Sequence, residues 1–320
     1  MGCTGQDQRQ VVVYTSVDQV FSEPILQAYE ELSGVRVKAV YDVEAAKTTG
    51  LVNRLIAEAG NPQCDVFWNS EFSRTLILKQ KKILAAYNSP SARDIPSQFI
   101  DQEGFWTGFA ARARVLVYNT RLIQKEQLPK SIFQLADPRW KGKVALAYPL
   151  FGTTATHVAA LYSVLGKEKT EKFLKSLKAN DVVIVDGNSV VRDLVADGQL
   201  PLGFTDTDDV NVAMQSGKPV RMYFPDKNGM GTLFIPNTVA LIKKAPHPHE
   251  GQKLIDYLLS REVESQLAYS DSAQIPVRGD VRRPGSLPEI STVKAMKVDY
   301  SQVAANMNQA GRFCQQLFVR

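Results

Sequence analysis

Apolar, strand-like runs alternate with segments of helical period along most of this 320-residue chain, and that alternation restricts the fold more than any other feature. VVVYTS (11–16) reads as a buried strand. It precedes SEPILQAYEELSG, where Ile25, Leu26, Tyr29 and Leu32 recur at helical spacing and Gly34 supplies the stop. VRVKAVYD (35–42) alternates as a second strand, TTGLVNRLIAEAG as a helix ending at Gly60, and CDVFWNS (64–70) as a third strand. Strands interleaved with helices of about a dozen residues build parallel sheets with crossover helices.

The pattern then repeats. KVALAYP, VVIV and LPLGFT are strands, and TTATHVAALYSVLG, EKTEKFLKSLKAND and NSVVRDLVADG are helices between them. HPHEGQKLIDYLLSREVESQLAYS and SQVAANMNQAGRFCQQLF are helical near the end. Two long extended segments, WTGFAARARVLVYNT (106–120) and GTLFIPNTVALIKKA (231–245), bracket the second set. The expected organisation is residues 1–10 as an N-terminal tether, 11–110 plus 239–320 as lobe one, and 111–238 as lobe two. In open α/β sheets ligands bind beyond the carboxyl ends of the strands.

Composition removes several classes of function. A 44% apolar and 22% charged chain is ordinary globular protein. The net charge of +5 comes without a basic block or an Arg/aromatic stripe, and KQKK at 79–82 reads as a solvated helix face, so nucleic acid is not an expected partner. No apolar run approaches the roughly 18 residues that span a bilayer. Cys3, ahead of a polar stretch, matches the first residue of a bacterial lipoprotein once its export signal is removed; a trivial N-terminal cysteine is the alternative. Cys64 and Cys314 then remain, and sequence leaves open whether they pair.

The loops after the strands are polar. They offer Thr15, Ser16 and Asp18; Asp42, Glu44 and Lys47; Asn69, Ser70 and Glu71; then PLFGTT (149–154), DGNS (186–189) and TDTDD (205–209). Gly152, Thr153 and Thr154 start a helix, where free N–H groups and the positive dipole end favour an anion; Asn188 and Ser189 repeat the arrangement. Simple N-capping is the alternative for both. Arg112 and Arg114 alternate with apolar residues and share a face, suited either to clamping phosphate or carboxylate or to an ion pair between the lobes. Asp206, Asp208 and Asp209 crowd one strand end.

Catalysis finds little support. His157 lies inside a helix, and His247 and His249 at a turn lack the spacing of a zinc helix. STVK (291–294) is a Ser-x-x-Lys without its companion motifs. An enzyme is not expected.

The strings VVVYTSVDQVFSEPILQAYEELSGVRVKAVYD, CDVFWNSE, GFWTGFAARARVLVYNT, LAYPLFGTTATH and GTLFIPNTVALIKKAPHP together resemble the extracellular solute-binding proteins of bacterial ABC importers, in the ferric-binding-protein-like branch, over residues 11–270. The resemblance implies an α/β type II periplasmic-binding-protein clamshell. Each lobe is a mixed, mostly parallel sheet flanked by helices, with two hinge strands between them and one ligand captured between the lobes. It further implies delivery to an ABC permease and ATPase, a cell-envelope location with tethering through lipid on Cys3, and a monomer. A sensor that presents the closed lobes to a receptor is an alternative.

Iron-binding members use a Tyr-Tyr pair, which falls here on Asp208-Asp209 or within about a residue of them; Glu71 matches their glutamate, Asp18 or a neighbour in TSVDQ stands near their histidine, and Gly152–Thr154 matches their anion site. With the phenolates gone, the preferred ligand is a small polar molecule whose phosphate- or phosphonate-type anion sits at Gly152–Thr154. Its cationic or hydroxyl-bearing end would lie near Asp206, Asp208 and Glu71. No cofactor is expected. The alternative ligand is ferric iron, held by Glu71, Asp208 and Asp209 with a synergistic anion.

Overall fold

The computed structural model describes residues 9–42 and 49–318, so Cys3, Glu44 and Lys47 lie outside the described residues. The chain divides into two compact units: residues 1–110, 236–270 and 276–283 form the first, and 111–235, 271–275 and 284–320 the second.

In the first unit β1 (Gln10–Thr15), α1 (Gln19–Ser33), β2 (Arg36–Tyr41), α2 (Thr49–Ala57), β3 (Val66–Asn69), α3 (Ser73–Gln80) and β4 (Leu84–Ala85) follow in order. α1 ends where the sequence places its stop: Gly34 takes φ 65° and returns its N–H to the Glu30 carbonyl. That left-handed conformation costs a residue without a Cβ little. β2, β1 and β3 are parallel neighbours.

β5 (Thr107–Asn119) carries the chain into the second unit. There β6 (Val144–Ala147), α4 (Gly152–Leu165), α5 (Lys167–Ala179), β7 (Val183–Val185), α6 (Asn188–Ala196), β8 (Leu202–Asp206), α7 (Thr207–Gln215) and β9 (Val220–Tyr223) are built in turn. β10 (Phe234–Ile242) leads back and pairs antiparallel with β3 and β4 of the first unit. α8 (Pro248–Leu258) and α9 (Arg261–Tyr269) belong to the first unit. The second sheet runs β9–β5–β8–β6–β7, antiparallel at β5 and parallel from β8 onward. The carboxyl ends of β6, β7 and β8 therefore point the same way, and each leads directly into a helix.

The C-terminus departs from the expected organisation. Residues 284–320 belong to the second unit, not to lobe one. α10 (Tyr300–Phe318) buries Val303, Ala304, Met307, Ala310, Cys314 and Phe318 and packs on α4. Its helical period announces an apolar face but not which unit covers it. Cys64 and Cys314 are both free and buried, and burial raises both thiols, Cys314 to about 12.

Gly203 fixes the approach of α6 to β8. A Cβ there would sit 2.5 Å from Val191 Cγ1 and 3.2 Å from both Val117 Cγ1 and Val195 Cγ2. Gly203→Ala should overpack this contact and lower stability by about 1–3 kcal/mol, read as a lower urea midpoint at unchanged slope.

Candidate functional site

The buried centre of the second unit is a guanidinium. The antiparallel register of β5 and β8 sets Arg114 opposite Asp206, and both side chains are fully enclosed, with Arg114 Nη1 2.8 Å from Asp206 Oδ1. Arg114 Nη1 also donates to Thr153 Oγ1 at 3.1 Å and to Asn188 Oδ1 at 3.2 Å, while Nη2 donates to Thr154 Oγ1 at 3.2 Å. The guanidinium lies 4.6 Å from the centre of the Phe204 ring. Thr153 Oγ1 donates a hydrogen bond to Asp206 Oδ2 at 2.6 Å, and Asn188 Nδ2 donates to the same oxygen at 3.0 Å.

Three helix starts are thereby tied together. Thr153 and Thr154 open α4, Asn188 opens α6, and Asp206 is the residue before α7. The first-turn N–H groups of a helix have no intrahelical acceptor, and each N-terminus carries roughly half a positive charge. Gly152, at φ 56°, begins α4 with space around its α-carbon, as backbone approached by a ligand would require.

The aspartate cluster differs from its sequence reading. Both oxygens of Asp206 are engaged within the protein: one accepts from Arg114, the other from Thr153 and Asn188. A buried carboxylate keeps its charge only when matched in this way. Arg112 Nη1 lies 3.4 Å from Asp208 and 3.7 Å from Asp206, so the arginine pair forms ion pairs within the second unit. Asp208 and Asp209 occupy the first turn of α7 and are half-buried, where acidic side chains suit the helix dipole. Ligand-type oxygens of all three aspartates lie within 4.8 Å of one another. Enclosure of its carboxyl, with Asp208 and Asp206 beside it, pushes Asp209 up to about 8 despite the proton donated by Thr205 Oγ1 at 3.0 Å. Ser189 is exposed beside Asn188.

The expected residues of the first unit also assemble, chiefly with one another. Ser16 Oγ donates to Asn69 Oδ1 at 2.6 Å, and Thr15 Oγ1 accepts from the Val17 N–H. Glu71 is 1% exposed. Its Oε2 accepts from the Ser73 N–H and hydroxyl, each at 2.6 Å, and Oε1 from the Arg74 N–H at 2.8 Å, so the carboxylate caps α3. Asp18 precedes α1 and is exposed.

Arg114 is the residue that sequence reasoning underweighted. The AARAR alternation signals it, but its burial depends on the β5–β8 register. His157, inside α4, is buried against Phe204, and burial together with Arg114 holds its pKa well below the usual range, so it is neutral.

Residues 61–302 match the family model described as bacterial extracellular solute-binding protein, and the chain belongs to that family. The chain is 24% identical to iron uptake protein A1 of Synechocystis sp., over 96% of its own length and 89% of the relative's. It is 29% identical to a putative 2-aminoethylphosphonate-binding periplasmic protein of Salmonella typhi, over 72% of its own length and 67% of the relative's. The crystal structure of iron-bound HitA from Pseudomonas aeruginosa superposes with a TM-score of 0.87 at 22% identity, covering 97% of this chain and all of that one. The fold is the two-lobe α/β type of periplasmic binding proteins, and the protein is an extracellular solute-binding protein of the ABC-importer type. Members of the family bind small molecules and work with an ABC permease; its relatives are binding proteins for transport. Among the described residues, no helix is long and apolar enough to cross a membrane.

Asp209 gives a pH prediction. Its pKa is raised from the ordinary carboxylate value to about 8, so the native state holds a proton that the unfolded chain releases. That contribution is complete below roughly pH 4 and is lost as pH rises through about 8. Asp209→Asn should flatten the pH dependence of the thermal midpoint across this window; an unchanged profile would remove Asp209 as its source.

Proposed function

We propose that the protein captures a small organic anion or zwitterion with a phosphonate- or phosphate-type group, held at the starts of α4 and α6, for delivery to its permease. The observation that carries this reading is the convergence of three helix N-termini on one buried arginine. Arg112 and Arg114 offset Asp206 and Asp208, and burial beside two other carboxylates favours the neutral form of Asp209. The helix N-termini then leave the cluster electropositive in spite of its three aspartates. The Thr153 and Thr154 hydroxyls are engaged within the protein, so backbone N–H groups are the donors offered to the anion. Half-buried Asp208 remains to meet an ammonium or hydroxyl end. The relative named for 2-aminoethylphosphonate supports this class of ligand.

Ferric iron is the second reading, favoured by the spacing of the three aspartates and by the iron-binding relatives. Against it stands the engagement of both Asp206 oxygens and of the Glu71 carboxylate.

A thermal-shift panel of 2-aminoethylphosphonate, inorganic phosphate, a hexose phosphate and ferric citrate separates the two. The anion reading expects a phosphonate or phosphate to raise the midpoint; a shift with ferric citrate alone defeats it. Exposed Ser189→Glu places negative charge at the start of α6. It should weaken anion binding by roughly tenfold while leaving the fold and any ferric response intact.

A further inference from the structure

The KQKK stretch holds two kinds of lysine. Lys79 Nζ lies 2.6 Å from Asp101 Oδ1 and 2.6 Å from Glu103 Oε2, so it is committed within the first unit. Lys81 and Lys82 are exposed and make no ion pair among the described residues. Past them the chain turns at Lys82, φ 60°, into β4. There Leu84 pairs with Ile242 of β10. Lys243 continues the ladder by donating its N–H to the Ile83 carbonyl at 2.8 Å, which brings Lys244, φ 59°, level with Lys82. Lys243 and Lys244 are also exposed and without an ion pair among the described residues.

Four lysines from two turns thus rim one pocket of about 160 Å³. Its acidic residue, Glu58, does not neutralise them, because its carboxylate accepts from the Tyr14 hydroxyl at 3.0 Å and from Arg54 Nε at 2.7 Å. Like charges facing each other across an antiparallel pair are destabilising, and non-glycine residues at positive φ add strain. Among the described residues no carboxylate forms an ion pair that relieves this repulsion.

We propose that the Lys81, Lys82, Lys243 and Lys244 patch is an electrostatic docking surface for the anionic headgroups of a phospholipid membrane. The residue types favour lipid over an acidic protein. Protein interfaces are depleted in lysine and enriched in arginine and aromatic residues, whereas this rim is lysine, and none of the exposed large hydrophobic side chains lies in it. Ammonium groups on flexible stems can meet phosphates at variable depth, and basic clusters are attracted to anionic leaflets.

Vesicle flotation of the unmodified chain tests the proposal, with phosphatidylcholine vesicles prepared with and without phosphatidylglycerol. The expected result is flotation that requires phosphatidylglycerol and fades as salt is added. The variant K81S/K82S/K243S/K244S should lose roughly tenfold or more in partitioning, with a thermal midpoint at or above that of the parent because like charges have been removed. The control K125S/K167S/K169S/K172S, which removes the same charge from exposed positions of the second unit, should float as the parent does. Absence of phosphatidylglycerol-dependent flotation overturns the proposal. So does equal loss in the control, which would make binding a net-charge effect, and so does retention on a polyglutamate resin without flotation, which would make the patch a face for acidic protein.

Discussion

The second unit is organised around one buried ion pair, Arg114 with Asp206. Neither charge could be taken out of water alone, and removing one partner of such a pair typically costs about 3–5 kcal/mol. Each is matched more than once. The guanidinium serves two threonine hydroxyls and an asparagine carbonyl as well as the carboxylate, and the carboxylate receives from Thr153 and Asn188 besides. The pair therefore joins the starts of three helices to the middle of a strand. Positions of Gly152, Asn188 and Asp208 all depend on it.

That dependence decides the sign of the site. Three aspartates in four residues suggest a trap for cations. Placed in the fold, one aspartate is the internal counter-ion of Arg114, one faces Arg112, and one is pushed by burial toward its neutral form. What remains uncompensated is the positive end of α4 and α6, whose first turns hold no acidic residue. The same residues would make a metal site only if Asp206 surrendered partners that keep it stable in a buried setting.

Much of this architecture was legible in the chain. The strand–helix alternation, the Gly34 stop and the helix start at Gly152 follow from periodicity and from the conformational habits of glycine and threonine. Alternation in AARAR placed Arg112 and Arg114 on one face, but strand register is a long-range property, and only the pairing of Arg114 with Asp206 explains why a charge lies in the core. α7 was hidden for a related reason: its acidic first turn reads as a loop until the dipole behind it is known. Glu71 is similar, a carboxylate placed by its motif among ligands and by geometry as the cap of α3. The docking of α10 on the second unit was likewise beyond an amphipathic pattern that names no partner.

Calorimetric titration of ethylphosphonate, an anion without an amine, into the parent protein and into Asp208→Asn tests the sign of the site most directly. Asp208 lies 3.4 Å from Arg112 in the same cluster, so its negative charge opposes an anion held there. An electropositive site predicts binding in the parent and several-fold tighter binding in the variant, by relief of charge competition at short range. Weaker binding in Asp208→Asn would contradict the account, because the carboxylate would then favour an anion that it should repel.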